Sequence, residues 1–250
     1  MLQVTKEQII TALETVGIEN GDGLLVHSAI QFLGFPEGGI GMYLEALREV
    51  IGSQGTIAVP TFNFAFARGE KYNPRETPSF GMGSFSEYVR QQPAAQRTTH
   101  PMQSLAIIGY HRNDIVNRDT PSAFDPDSAF ERMLQLGFKI LLLGADINAI
   151  SFLHYSEQRA PVPYRYWKDF TGDYKTDTGW QTRTYRMYVR DLEINPRIDL
   201  KPVQQRLQKQ GAWSSVQLNY GYISQCRVND FVNAVDYFLV TDPWSLVTNH

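Results

Sequence analysis

The stretch Leu141–Trp167, LLLGADINAISFLHYSEQRAPVPYRYW, decides how the rest of the chain is read. A short apolar run, Ile140 to Leu143, passes through Gly144-Ala145-Asp146 into a segment that presents His154, Glu157 and Arg159 within six residues. An apolar run that ends in a glycine turn and enters a helical segment is one half of a strand-helix unit. Polar residues just past a strand end occupy the place where open α/β sheets hold their ligands.

Upstream the same pattern recurs. GLLVHSA and GTIAVPT are apolar runs bracketed by glycine and proline, and GIGMYLEALREVIG between them has helical period, giving a strand-helix-strand unit. SLAIIGYH and FKILLLG read as buried strands, with DSAFERMLQLG as a capped helix between them. Thr5-Lys6-Glu7-Gln8 has capping-box form, and Ile9, Ile10, Leu13 and Val16 recur at helical spacing, so residues 5–16 are predicted to be a helix. Residues 62–96 are punctuated by proline and glycine and predict a surface excursion with one helix, Ser84 to Gln91. Past residue 160, aromatic and charged residues alternate through YRYWKDFTGDYKTDTGWQTRTYRMYVRDLE, predicting antiparallel strands around a turn at Asp177 to Gly179. DLKPVQQRLQKQGAW and RVNDFVNAVDYFLVTDPWSL return to helical period. The expected fold is α/β: a central mixed sheet flanked by helices, with an aromatic-rich, β-containing C-terminal addition. The expected organisation is one domain over residues 1–250, with residues 158–193 as an excursion from it.

Composition narrows the function classes. At 250 residues, with 42% apolar and 20% charged residues, the chain is long enough to bury a full core. A net charge of -3 lacks the broad basic footprint of a nucleic-acid binder. The N-terminus MLQVTKEQIITALETVG is amphipathic and charged, so neither a signal peptide nor a membrane span is expected. Cys226 is the single cysteine, which rules out an intrachain disulfide and makes a reducing compartment, the cytoplasm, the expected location. Cys226 lacks a neighbouring His or glycine-rich elbow and reads as a small buried hydrophobe rather than a nucleophile. No Gly-x-Ser-x-Gly and no Walker-type loop occurs.

Three groups of residues can carry chemistry. On a helix starting near Asn148, Glu157 follows His154 at i+3 on one face, with Ser151 at i-3. A carboxylate so placed orients an imidazole, the usual general base at neutral pH. A lone His-x-x-Glu equally suits a structural histidine tying helix to loop. There is no His-Glu-x-x-His and no cysteine pair, so no metal site is expected. His27 and Ser28 follow one strand, Thr61 another, and Arg97, Thr99, His100 and Ser104 precede a third. Hydroxyls and amides at strand ends can hold an amide-rich or phosphorylated cofactor arm, although each alone also fits a capped turn. Residues 158–190 hold seven Lys or Arg against three Asp, a local +4 interleaved with aromatics. Such a segment attracts a nucleotide diphosphate and repels a polycation if it lines the acceptor pocket, and otherwise reads as edge-strand charge and core aromatics.

Taken in order, LLVHSAIQFLG, LEALREVIGSQGTIAVPTF, RTTHPMQSLAIIG and SAFERMLQLGFKILLLGADINAISFLHYSEQRAPVPY resemble the aminoglycoside 3-N-acetyltransferase family, whose fold is distinct from that of the GNAT acetyltransferases. The resemblance is strong over roughly residues 5–165 and faint beyond. It implies an acyl-CoA-dependent N-acyltransferase that works by direct transfer, with His154 as general base in a Leu-His-x-x-Glu context. It also implies a supporting acid beyond the 160s, matched to Asp191 with Glu193 as the alternative. His27, Ser28, Thr61, Arg97, Thr99, His100 and Ser104 would lie on the cofactor side. Phe124 stands where some members have a histidine, so a second proton-transfer group is missing there. The acceptor implied is the amine of an amino sugar, and the basic 158–190 segment favours a nucleotide-linked one over an aminoglycoside. A catalytically silent CoA- or sugar-binding module is the reading from another class, against which the presence of His154 argues.

Overall fold

Residues 2–248 are described in a computed structural model of the protein. Strand β1 (Gln3–Val4) leads to helix α1 (Lys6–Thr15), opened by the expected capping box. Thr5 Oγ1 accepts the Gln8 N–H at 3.2 Å and Gln8 Oε1 accepts the Thr5 N–H at 2.9 Å. Strands β2 (Gly23–Ser28) and β3 (Phe35–Pro36), helix α2 (Gly41–Ile51) and strand β4 (Thr56–Pro60) follow. The excursion then carries helix α3 (Ser84–Arg90) and returns through β5 (Gln96–Arg97) into β6 (Leu105–Gly109). Helices α4 (Arg112–Val116) and α5 (Ala129–Gln135) precede β7 (Lys139–Leu143), and helix α6 (Leu153–Arg159) comes next. Strands β8 (Arg165–Thr176) and β9 (Gly179–Arg190), helix α7 (Lys201–Lys209), strands β10 (Ser214–Leu218) and β11 (Gly221–Arg227) and helix α8 (Val228–Thr241) complete the order.

The main sheet has seven strands in the order β10-β11-β7-β2-β4-β6-β5. The central trio β7, β2 and β4 is parallel, while β6, β5, β11 and β10 are each antiparallel to their neighbours. Parallel strands buried on both faces are apolar throughout rather than alternating, as β7 shows: all five of its residues are buried. Its one charged member, Lys139, is held by Asp22 Oδ2 at 2.7 Å and by the Gly17 carbonyl at 2.9 Å. One face packs on α1, α2 and α3 through Ile9, Leu13, Tyr43, Leu47, Phe85 and Val89. The other packs on α4 to α8 through Phe130, Met133, Phe152, Leu207, Phe231 and Val235, each buried aliphatic or aromatic side chain contributing about 1.5–3 kcal/mol.

Hairpin β8-β9 forms a separate two-stranded sheet paired from Arg165–Arg190 at its base to Thr176–Gly179 at its tip. It lies on a third cluster built from Phe66, Tyr72, Met102, Tyr174 and Tyr185. The aromatic-rich β addition is therefore this hairpin. Strands β10 and β11, which hydropathy alone did not mark, join the main sheet instead.

One boundary near the site differs from the sequence expectation. The helix bearing His154 starts at Leu153 rather than near Asn148, because Asp146 closes a separate 3-10 turn (Ile147–Ala149) by accepting the Asn148 N–H at 2.9 Å. Ile150 is then extended, with φ -70° and ψ 109°, which breaks the helical path.

Candidate active site

Because β2, β4 and β7 are parallel and β6 runs against β4, the C-terminal ends of the first three and the N-terminal end of β6 share one edge of the sheet. His27 and Ser28, Thr61, Ser104 and the Gly144 turn into α6 all sit along that edge. The chain leaves β7 at Gly144 with φ 72°, where a Cβ would meet the Ala29 carbonyl oxygen at 2.6 Å. Only glycine lets the two strand ends approach this closely.

Helix α6 places His154 and Glu157 one turn apart, and His154 Nδ1 lies 2.7 Å from Glu157 Oε2. Glu157 is fully buried, whereas the His154 side chain keeps 33% of its surface. Arg165, the first residue of β8, brings Nε to 2.8 Å of the same Glu157 oxygen and is itself only 11% exposed. Burial alone would raise the Glu157 carboxyl's proton affinity, but the hydrogen bond and charge of His154, with the Arg165 guanidinium, outweigh it and hold the group below its ordinary range. With Nδ1–H donating to Glu157, Nε2 is the imidazole nitrogen left to accept a proton. The Phe124 ring packs edge-on to the imidazole with centroids 5.8 Å apart, so the position that lacks a histidine supplies an apolar wall.

Asp191 does not share this arrangement. Its carboxylate accepts the Glu193 N–H at 2.9 Å and its N–H donates to the Tyr164 carbonyl, which makes it the turn residue that ends β9. The carboxylate on the imidazole belongs to Glu157.

Among the strand-end residues, Thr61, Arg97 and Ser104 bind one another. Arg97 Nε lies 3.0 Å from Thr61 Oγ1 and 2.8 Å from Ser104 Oγ, and its terminal nitrogens bond to the Thr77 and Thr61 carbonyls. Thr99 Oγ1 donates to the Arg118 carbonyl at 2.9 Å. His100 accepts the Gln103 N–H on Nδ1 and faces the Arg186 carbonyl with Nε2, and burial drops its pKa to about 4, so it is neutral. These contacts tie the excursion and the hairpin to the sheet. His27 and Ser28 are different: His27 Nε2 and Ser28 Oγ are buried without a protein hydrogen-bond partner, as is Ser151 Oγ one turn before His154. Burial lowers the His27 pKa to about 3, so it offers a neutral ring. Gly83 packs closely on Ser28, where a Cβ would stand 3.2 Å from the Ser28 carbonyl oxygen.

The hairpin charges are mostly spent within the protein. Arg165, Arg183 and Arg159 pair with Glu157, Asp119 and Asp236, all outside residues 158–190, at 2.8, 2.8 and 3.3 Å. A cavity of about 900 Å³ lined by Arg75, Arg90, Arg97, Lys175 and Arg183 lies at the hairpin tip, and His154 is not part of its wall. Three of those cations are already paired, with Asp177, Glu87 and Asp119. Among the described residues no group of three or more His, Cys, Asp or Glu gathers to hold a metal, and no helix is long and apolar enough to cross a membrane.

A mixed α/β sheet thus carries, at the C-terminal ends of its parallel strands, an imidazole hydrogen-bonded to a buried carboxylate and buried polar atoms without a protein partner. The profile of the aminoglycoside 3-N-acetyltransferase family matches residues 25–239, and the chain belongs to that family. Aminoglycoside N(3)-acetyltransferase III of Salmonella sp is 31% identical over 183 residues, 65% of this chain and 63% of the relative. Aminoglycoside N(3)-acetyltransferase VIII of Streptomyces fradiae is 30% identical over 180 residues, 64% of this chain and 63% of the relative. The match thus spans less than two thirds of these relatives' length. Solved structures share the fold over nearly the whole chain. AAC-IIIb in binary complex with CoASH has a TM-score of 0.83 at 18% identity, covering 96% of this chain and 97% of that one. AAC-VIa bound to sisomicin has a TM-score of 0.84 at 20% identity, covering 96% and 98%.

Proposed function

We propose that the protein is an acyl-CoA-dependent N-acyltransferase that acylates a primary amine of an amino sugar by direct transfer, as one catalytic unit whose residues 158–193 border the acceptor. The observation that carries this reading is the His154 imidazole held at 2.7 Å by the buried Glu157 carboxylate. A sugar amine is mostly protonated at neutral pH and must shed a proton to attack an acyl carbonyl. His154 Nε2 takes that proton, and Glu157 compensates the imidazolium that forms. Glu157 is the carboxylate that helical spacing set beside His154, and its contact with the imidazole favours it over Asp191 or Glu193 as the supporting acid.

His27 and Ser28 fit the cofactor. Their unpartnered buried atoms offer hydrogen bonds but no charge, which suits the amide-rich arm of CoA better than its phosphates. Bound there, acyl-CoA would supply the acyl group as an activated thioester. CoASH in the complex of a relative of the same fold supports the assignment.

For the acceptor, Arg159, Arg165 and Arg183 pair with carboxylates outside the segment, while Asp173 and Asp177 pair with Lys71 and Arg75, also outside it, so the segment keeps a positive excess. An amino sugar of the aminoglycoside kind is the acceptor that the names of the relatives support, and the basic segment then need not line its pocket. The test follows thiol release from acetyl-CoA with aminoglycosides and nucleotide-linked amino sugars, in wild type and His154→Gln. Aminoglycosides should give the higher kcat/KM, and His154→Gln should lower kcat about 100-fold or more with CoA affinity kept. Near-normal turnover by a folded His154→Gln protein would reject the base. Faster turnover of a nucleotide-linked sugar would reject the acceptor.

A further inference from the structure

Two nitrogen groups share one oxygen of Glu157: His154 Nδ1 at 2.7 Å and Arg165 Nε at 2.8 Å. Glu157 is faced from its own helix by His154, from the entry to β8 by Tyr164 and Arg165, and from β9 by Tyr188. Burial pushes both phenols above their ordinary range, so they are neutral at any working pH. Arg165 is therefore the fixed charge that meets the pair. Its position is set by the hairpin, because Arg165 Nη1 donates to the Tyr188 carbonyl at 3.3 Å and Tyr188 Oη donates to the Val162 carbonyl at 2.6 Å.

A buried carboxylate with one imidazole for company would favour the protonated ring, since its charge would otherwise stand uncompensated in a low-dielectric site. A protonated ring cannot act as a base. With Arg165 on the same oxygen, Glu157 is neutralised while His154 is uncharged, and protonating His154 adds a second positive charge beside the first. Arginine suits this task because it stays charged across the working range. We infer that Arg165 is a positioning residue that keeps His154 available as a base, by holding Glu157 ionised and in place and by opposing premature protonation of the imidazole. The inference rests on the reading of His154 as the general base. It gives the hairpin a part in the chemistry itself, since a displaced β8 would withdraw the guanidinium from Glu157.

The experiment is the pH profile of kcat/KM for the acceptor at saturating acetyl-CoA, in wild type, Arg165→Gln, Arg165→Lys and His154→Gln. Arg165→Gln should move the acidic limb upward by about one pH unit, cut activity at neutral pH about tenfold, and recover much of it at alkaline pH. Arg165→Lys should keep the limb near the wild-type position. A purely structural arginine would lower activity at every pH and leave the limb in place, and that result in a folded Arg165→Gln protein overturns the inference. If Arg165→Gln does not fold, the His154 ring followed by NMR in Arg165→Met replaces it, with an upward midpoint expected and an unmoved one refuting. An inactive His154→Gln alongside an unmoved Arg165→Gln limb removes only the role of Arg165. An active His154→Gln removes the base assignment beneath it.

Discussion

Replacing Glu157 by Gln keeps the side-chain shape and removes the charge on which both His154 and Arg165 depend. Breaking a fully buried ion pair by deleting one partner costs about 3–5 kcal/mol. Arg165 keeps 11% exposure and a bond to the Tyr188 carbonyl, and the Gln carbonyl can still accept from one neighbour, so about 2–3 kcal/mol is expected. That leaves a protein of ordinary stability, about 5–15 kcal/mol, still folded. Catalysis loses more specifically. At an effective dielectric constant near 20, unit charges about 4 Å apart attract by about 4 kcal/mol, and the residual dipole of the amide returns part of this. A transition-state loss of about 2–3 kcal/mol corresponds to a fall in kcat of roughly 30- to 150-fold. Urea unfolding gives the stability change as a shift of midpoint at constant slope, and initial rates with acetyl-CoA give the catalytic change. The two effects separate with pH. Glu157 binds its proton less tightly folded than unfolded, so its contribution is complete above the ordinary carboxylate range, about 4.3, and is lost as pH falls through the lower folded value. The stability gap between wild type and Glu157→Gln should accordingly be largest near neutrality and shrink in acid. A gap below about 0.5 kcal/mol at neutral pH, with kcat within a factor of about three, would refute the account of Glu157 as a buried carboxylate serving both His154 and Arg165.

Cys226 is 1% exposed and burial pushes its thiol far up, so Cys226→Ala should keep wild-type kcat, and no acylated Cys226 should be found in quenched reactions. Arg97→Met removes bonds to Thr61, Ser104 and Thr77 together, so thermal or urea unfolding should show a loss of about 2–4 kcal/mol, while CoA affinity of the folded fraction stays unchanged. Weakened CoA binding without destabilisation would return Arg97 to the cofactor side.

Periodicity located what depends on local sequence. The apolar runs of β2, β4 and β7 and the capping box of α1 were readable because each element is specified within a few residues. The hairpin was readable because aromatic and charged residues alternate up to a turn at Asp177 and Thr178. Strand β10 was missed because it is a half-exposed edge of five residues, SSVQL, whose Val216 and Leu218 alternate too briefly to stand out, although Asn219-Tyr220-Gly221 marks the turn after it. The His154–Glu157 pair was legible because both residues lie on one helical face. Arg165 was not: it reaches Glu157 across Pro161 and Pro163, through a turn whose direction no period predicts. Arg97, Thr61 and Ser104 looked like three independent ligands because sequence shows that polar residues stand at strand ends but not whether they face a ligand or one another.

The sheet order also dictates when the site can assemble during synthesis. Strand β7 lies between β2, more than a hundred residues earlier, and β11, which begins at Gly221. Helix α6 packs against α8, where Arg159 meets Asp236 at 3.3 Å. The His-Glu-Arg cluster is complete in sequence by residue 165, yet the elements that bracket its strand and brace its helix leave the ribosome some sixty to seventy-five residues later. Until then β7 offers an open edge that is apolar but for Lys139, so the nascent chain should be a strong client for chaperones until β11 has paired and α8 has docked.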